Sequence, residues 1–295
     1  MMKTVNYPIP PNDAGKTVEQ FLRKQGLSHA LLVQLKRDPD GLLLDGEPAY
    51  TCARLRPGAV LQINLREGLS SGTVTPVCQP LAIVYEDEDL FVINKPAGMP
   101  VHPSHGNREM TLANALAARY LERGEPFCFR PIGRLDKNTS GLVLLAKNGL
   151  SGCLLSGMAG RRQIRREYLA VCKGRLPDNG TVDAPIGRVP GSALLREVRP
   201  DGRSAVTHFE RMDDAAGLSL ARVWLETGRT HQIRVHMAHI GHPLPGDFLY
   251  CPDFTKISRQ ALHAARLCFP HPLTGEALQF EAPLPRDMAA LLEKG

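Results

Sequence analysis

Gly133-Arg-Leu-Asp-Lys-Asn-Thr-Ser-Gly141, followed at once by Leu142-Val-Leu-Leu-Ala146, sets a charged, glycine-bounded loop against an apolar run that reads as a buried strand. Arg134 precedes Asp136 by two positions. A carboxylate flanked by basic side chains on a loop leading into a strand is placed to stay ionised and to project into a cleft. An Asp on such a loop more often caps a turn, so the segment needs partners elsewhere in the chain before it means chemistry.

Working outward, strands recur. Leu81–Tyr85 and Leu90–Asn94 read as strands joined by the acidic turn Glu86–Asp89, and Thr111 as the cap of a helix running to Leu121. Leu142–Ala146, Tyr168–Cys172, Leu218–Leu225 and Leu278–Glu281 continue the strand count. Strands with few crossover helices between them predict an α+β domain on a mainly antiparallel mixed sheet rather than a doubly wound fold.

The N-terminal stretch reads differently. Residues 16–66 carry helical patterns over Thr17–Gln25 and Ser28–Arg37, then short strands at Leu42–Asp45 and Val60–Asn64, punctuated by Asp45-Gly46 and Pro57-Gly58. Glu67-Gly-Leu-Ser-Ser-Gly-Thr73 then reads as a linker. A boundary near residue 70 follows, giving a small α+β unit over 1–70 and a larger one over 74–295.

Composition sets outer bounds. The chain has 295 residues, 43% of them hydrophobic and 22% charged, which is ordinary for a folded globular protein. No run approaches the roughly 20 apolar residues of a membrane span, and the start has no secretory stretch, so the expected address is cytoplasmic with no membrane partner. The seven cysteines are scattered and never spaced Cys-x-x-Cys, which argues for reduced thiols rather than a disulfide framework or zinc ribbon. A formal charge of +6 suits a polyanionic partner but does not identify one.

Four further segments carry candidate chemistry. The first, Thr227–Asp247, is dense in polar residues directly after an apolar strand. If Thr230–Ile240 is helical, His231 and Arg234 share a face. His231, His236, His239 and His242 could converge on a metal, but no His-Glu-x-x-His pattern is present and no acidic residue follows until Asp247, so no metal is expected. The favoured reading makes Arg234 the guanidinium that pairs with the Asp136 carboxylate.

The second, Arg166-Glu-Tyr168, opens a strand, with Tyr168 either a core residue or a ring stacked on a nucleobase. In the third, Ile93–His102, a strand ends in a Pro/Gly-rich loop bearing Lys95 and His102, where contact with RNA or closure of the site weighs equally with a structural turn. The fourth, Arg161-Arg-Gln-Ile-Arg-Arg166, places Arg161, Arg162 and Arg165 in one basic cluster, whose bland reading is a solvated face.

Taken in order, Ile93-Asn-Lys-Pro-Ala-Gly98, Gly133-Arg-Leu-Asp-Lys-Asn-Thr-Ser-Gly-Leu142, Arg166-Glu-Tyr168 and Gly228-Arg-Thr-His-Gln-Ile-Arg-Val-His236 resemble the RluA family of pseudouridine synthases. Leu262-His-Ala264 and Phe280-Glu-Ala-Pro283 resemble its closing segments. One departure is Gly133, where many members carry histidine. That form is similar to the neighbouring RsuA type, but the long Arg-Thr-His-Gln-Ile-Arg-Val-His segment favours the RluA type.

The resemblance implies the pseudouridine synthase fold, a curved, mainly antiparallel mixed sheet with flanking helices and an RNA cleft. It implies Asp136 as the catalytic aspartate, Tyr168 as the ring on the target base, Arg234 as the basic partner of the aspartate, and Arg134 as the arginine that enters the helix vacated by a flipped nucleotide. Lys95, His102, Arg161, Arg162, Arg165, Arg229 and His231 are candidate RNA contacts. Residues 16–66 resemble a small S-four RNA-binding domain, with Lys36 and Arg37 available for phosphates.

The implied reaction isomerises uridine in ribosomal or transfer RNA, ribosomal RNA being preferred, with no cofactor; the sequence is silent on oligomeric state and a monomer is the default. Two other classes stay open to the sequence: an RNA-binding or ribosome-assembly factor that has lost catalysis, and a metal-dependent hydrolase built on the histidines.

Overall fold

The structure, a computed structural model, describes residues 2–66, 74–104, 106 and 108–293. The expected linker at 67–73 lies outside the described residues.

The N-terminal part begins with β1 (Met2–Pro8), followed by α1 (Val18–Lys24), α2 (His29–Arg37), β2 (Leu42–Leu44), β3 (Glu47–Pro48) and β4 (Val60–Arg66). Its strands pair antiparallel in the order β1-β4-β2-β3. Thr17 and Gln20 form a reciprocal capping box on α1, and the Ser28 hydroxyl accepts the Leu31 N–H on α2, so both helices start where the sequence placed them. Phe21, Leu22, Leu32 and Leu35 bury against Leu61, Ile63 and Leu65 of β4.

The larger part then runs through β5 (Ala82–Glu86), β6 (Leu90–Lys95), α3 (Leu112–Glu122), β7 (Arg130–Pro131), β8 (Ser140–Ala146) and α4 (Gly149–Gly160). It continues with β9 (Arg165–Lys173), β10 (Asn179–Asp183), β11 (Ile186–Arg188), β12 (Arg196–Val198), β13 (Val206–Ala215) and β14 (Leu218–Leu225). Last come α5 (Gln232–His239), β15 (Leu262–Pro270), β16 (Ala277–Glu281) and α6 (Arg286–Ala289).

Among the described residues, ten strands make one sheet in the order β10-β13-β14-β9-β15-β8-β6-β5, with β16 on β15 and β7 on β8. Only β8 and β15 run parallel, so the sheet is mixed and mainly antiparallel, as the strand count predicted. The pair β11 and β12 stands apart as its own hairpin.

Gly141 is what lets β15 approach β8. It sits at φ +113°, and a Cβ there would lie 2.2 Å from the Ala264 carbonyl oxygen. No other residue fits without separating the two strands. The glycine that closes the charged loop is thus also the point where the sheet's two halves meet.

Helix α4 had no counterpart among the sequence expectations. Its sequence, Gly-Leu-Ser-Gly-Cys-Leu-Leu-Ser-Gly-Met-Ala-Gly, is too rich in glycine to favour a helix by propensity. It is held instead by its cap, Asn148 accepting the Ser151 N–H at 2.9 Å, and by burial on two sides. Leu150 and Leu154 enter the N-terminal core, while Leu155 joins Leu142 and Leu144 of β8 in the core beneath the large sheet. The Ser28 N–H donates to Cys153 Sγ at 3.2 Å across the same contact.

Candidate active site

Asp136 lies in the loop between β7 and β8, and its neighbours fix that loop through backbone carbonyls. Lys95 Nζ donates to Lys137 O at 3.1 Å and to Pro96 O and Met99 O, both at 2.8 Å. Arg259 donates from Nη1 to Asn138 O at 3.3 Å while pairing with Asp287, and Gln260 reaches the Thr139 hydroxyl at 3.2 Å. Both cations thus act on the residues immediately after the carboxylate. The expectation that Lys95 meets RNA is corrected here: its side chain is fully buried, and all three acceptors are the protein's own. Burial drives its pKa down to about 7, with Arg259 pushing the same way and Asp136 opposing.

Helix α5 brings Arg234 to the same place. The helix begins at Gln232 rather than Thr230, because His231 adopts the left-handed region at φ 59° and serves as its cap. Arg234, only 2% exposed, donates from Nη1 to Asp136 Oδ2 at 2.8 Å. Its other edge meets Asp247, Nε to Oδ2 at 2.6 Å and Nη2 to Oδ1 at 2.7 Å. Burial alone would lower the Arg234 pKa, but the hydrogen bonds and charge of Asp247, then those of Asp136, raise it above its ordinary value. The guanidinium therefore stays charged, and each of its three nitrogens donates to one of the two carboxylates.

Asp247 was not among the expected site residues. The sequence signal was available, since it is the first acidic residue after the histidines, but nothing local tied it to Arg234. The carboxylate also accepts the N–H groups of Leu249 and Tyr250 at 3.0 and 3.3 Å. It thereby shapes the turn that follows and places Tyr250 and Phe248 beside the guanidinium, with ring centroids 5.1 and 5.6 Å from Arg234 Cζ.

Tyr168, on β9, lines a hollow of about 70 Å³ with Asp136, Arg134, Arg229, His231 and Arg234. Burial raises its pKa, and the Asp136 charge adds to that while Arg166 opposes, so the phenol stays neutral. His231 Nε2 stands 3.9 Å from Asp136 Oδ2, and its Nδ1 pairs with the Tyr250 hydroxyl at 3.1 Å. Its pKa falls, first through burial and further through Arg234, against the pull of Asp136. Arg229 is tied to the site's wall by a 2.9 Å hydrogen bond from Nε to Ser204 O.

A wider groove of about 650 Å³ shares Asp136 with the hollow and is lined by His102, Arg134, Lys137, Leu194 and Phe248 among others. Arg134 and His102 are exposed there, and burial together with the charge of Arg134 lowers the His102 pKa. Arg134 therefore lines both the hollow and the groove.

The remaining expected residues are more distant. Arg161, Arg162 and Arg165 are exposed around the turn into β9; Arg162 pairs with Glu226 at 2.8 Å, whereas Arg166 turns inward and donates to Ile132 O at 2.5 Å. Its guanidinium lies 3.3 Å from where a Cβ on Gly133 would stand, and Gly133 has φ +84°, so the departure at this position has a local structural reason. Lys36 and Arg37 lie exposed in the last turn of α2, Lys36 being 3.6 Å from Glu19.

The four histidines do not converge. His236 is buried between the Thr207 hydroxyl and Ala184 O, and His242 bonds Lys173 O. Among the described residues, the group with metal-ligand spacing is Asp87, Asp89 and His271. Its carboxylates already accept from Leu90 N, Asn148 Nδ2, Ser151 Oγ and Lys3 Nζ, and it lies away from Asp136.

Comparison with known proteins bears on the same residues. A family model described as RNA pseudouridylate synthase matches residues 89–239. YjbO of Bacillus subtilis, named an uncharacterized RNA pseudouridine synthase, is 41% identical over 94% of this chain and 98% of its own. Ribosomal large subunit pseudouridine synthase D of Xanthomonas campestris is 38% identical over 96% of this chain and 90% of its own. The structure of human RNA Pseudouridylate Synthase Domain Containing 1 superposes with a TM-score of 0.58 at 26% identity, covering 69% of this chain and 83% of that one. With the motifs, the sheet and these relatives in agreement, the chain belongs to the RluA-type family of RNA pseudouridine synthases.

Proposed function

We propose that Asp136 is the catalytic carboxylate of a uridine-to-pseudouridine isomerisation on ribosomal RNA. The observation that carries this reading is the 2.8 Å hydrogen bond from Arg234 to Asp136 beside Tyr168 in one small hollow. The reaction breaks the bond from ribose carbon 1′ to uracil nitrogen 1, turns the ring, and joins carbon 5 to carbon 1′. The proton on carbon 5 is lost and nitrogen 1 ends protonated, so atoms balance without redox, cofactor or metal.

The Asp136 carboxylate can attack carbon 1′, add to the ring or take a proton from carbon 2′; in each route Arg234, donating to Oδ2, fixes the direction in which the free oxygen points. Tyr168 offers its ring to the uracil, and its neutral phenol adds no charge there. The target must first leave its stack, at a cost of a few kcal/mol that phosphate contacts offset. Arg134, Arg229, His102 and His231 around the site, and Arg161, Arg162 and Arg165 beyond it, are assigned to those contacts.

Residues 1–70 are read as an S-four-like RNA-binding domain ahead of a catalytic domain over 74–295, with Lys36 and Arg37 on phosphate. Ribosomal RNA is preferred because relatives carry that substrate in their names. The enzyme is taken to work as a cytoplasmic monomer; no helix among the described residues is long and apolar enough to cross a membrane.

The test is Asp136→Asn assayed by tritium release from ribosomal RNA transcripts labelled at uracil carbon 5, with filter binding on the same protein. Activity should vanish and RNA affinity should persist; an Asn variant that still forms pseudouridine ends the assignment.

A further inference from the structure

Two large apolar side chains stand in water at the mouth of the site. Phe248 is 51% exposed and Leu194 60% exposed, and both line the wide groove that ends on Asp136. Buried packing accounts for neither. Leu194 comes from the turn between β11 and β12, and Phe248 from the turn after Asp247, so two separate segments of chain deliver them to one groove.

The presentation of Phe248 is built rather than incidental. Asp247 accepts the N–H groups of Leu249 and Tyr250, which fixes the turn. Tyr250 is drawn inward to His231 and to the Arg196 N–H, leaving Phe248 on the outer side. Arg234 Cζ lies 5.6 Å from the Phe248 ring centroid, so the ring has a guanidinium on one side while half of its surface stays open to the groove. Arg134 and His102 line the same groove with Phe248 and Leu194, so cationic and imidazole groups share it with an aromatic ring and an aliphatic side chain.

We propose that Phe248, with Leu194 beside it, is a stacking site for one nucleobase adjacent to the uridine that enters the hollow. This rests on the reading of the groove as the RNA path. An aromatic face next to basic side chains is the usual means of holding a single-stranded base irrespective of its identity. Continuity with the Asp136 hollow selects a base of the same strand as the occupant: a neighbour of a uridine turned inward has lost one stacking partner and is the next base along the strand to reach the groove. Stacking there repays part of the cost of opening the RNA and fixes on which side of the target the strand is gripped.

The experiment uses the full chain and a short single-stranded RNA bearing one uridine flanked on either side, in separate probes, by 2-aminopurine, whose fluorescence falls on stacking. Wild-type protein should quench the probe on one flank far more than on the other. Phe248→Ala should abolish that difference and weaken binding roughly five- to hundredfold, the range expected for one base on one aromatic ring. Phe248→Tyr should retain both, which separates loss of stacking from loss of folding.

Equal quenching by wild type and Phe248→Ala, or no quenching on either flank, overturns the proposal. Because the readout needs no pseudouridine to form, repeating it with Asp136→Asn separates failure of this site from failure of the catalytic assignment.

Discussion

Asp247 holds Arg234 by two hydrogen bonds, 2.6 Å to Nε and 2.7 Å to Nη2, and leaves Nη1 to face Asp136 at 2.8 Å. One buried guanidinium thus bridges two carboxylates, and the one farther from the opening sets the angle at which the nearer one is met.

Asp247→Asn keeps the shape of the side chain but removes the charge that keeps Arg234 in place. Breaking a buried ion pair by altering one partner costs about 3–5 kcal/mol, and a small misplacement of a catalytic group costs about a hundredfold in rate. We expect a lower unfolding free energy in urea and a kcat down by about that factor, with RNA affinity changed only a few-fold. A variant with unaltered kcat would remove Asp247 from any positioning role.

Arg234→Lys retains a positive charge but replaces a planar fork by a point donor that cannot serve Asp247 on one edge and Asp136 on the other. Single-turnover rates should fall by about a hundredfold or more, while filter binding of RNA stays near wild type. An equal loss in both measurements would mean that Arg234 acts mainly on RNA.

Gly141→Ala tests the join between β8 and β15. A Cβ 2.2 Å from the Ala264 carbonyl oxygen, at a backbone angle that alanine rarely adopts, should destabilise the protein by about 2–4 kcal/mol. Thermal unfolding followed by circular dichroism would register this as a lower midpoint. An unchanged midpoint would show that the strands can part at little cost.

Lys95 makes stability depend on pH in a defined direction. Its folded-state pKa is depressed to about 7 from 10.5, so between those values the unfolded chain binds the extra proton. Stability from this group therefore rises with pH through that window, by up to about 1.4 kcal/mol per unit, and below it the burial penalty is present in full. Lys95→Met has no such group. The difference in unfolding free energy, wild type minus variant, should climb between about pH 7 and pH 10; a flat difference would show that Lys95 stays charged in its cage of carbonyls.

The sequence was most legible where local chemistry decides structure. Thr17, Ser28 and Thr111 cap the helices predicted for them because a hydroxyl at a helix start acts within three residues. The pairing of Asp136 with Arg234 was readable from motif context, although 98 residues separate the two.

What could not be read depends on tertiary contact. Helix α4 forms despite its glycines because two cores cover it, and Lys95 looked like a surface cation because nothing in Ile-Asn-Lys-Pro says that three carbonyls will surround it. Asp247 stayed silent for a related reason, since it lies beyond the end of α5 and meets Arg234 only because the chain folds back on the helix.

The strand order β9-β15-β8 also carries a statement about time. Residues 82–146 and 165–225 can each pair most of their strands with near neighbours, yet in the finished sheet they are joined through β15, whose residues begin only at Leu262. The loop bearing Asp136 belongs to the first group, Tyr168 to the second, and Arg259 and Gln260, which tether that loop, lie just ahead of the joining strand. Closing so long a span is the slow, high-contact-order step of such a fold. A nascent chain can therefore hold Asp136 and Tyr168 on separately folded pieces and still lack the strand that draws them into one hollow, so the site is assembled only once β15 slots between them.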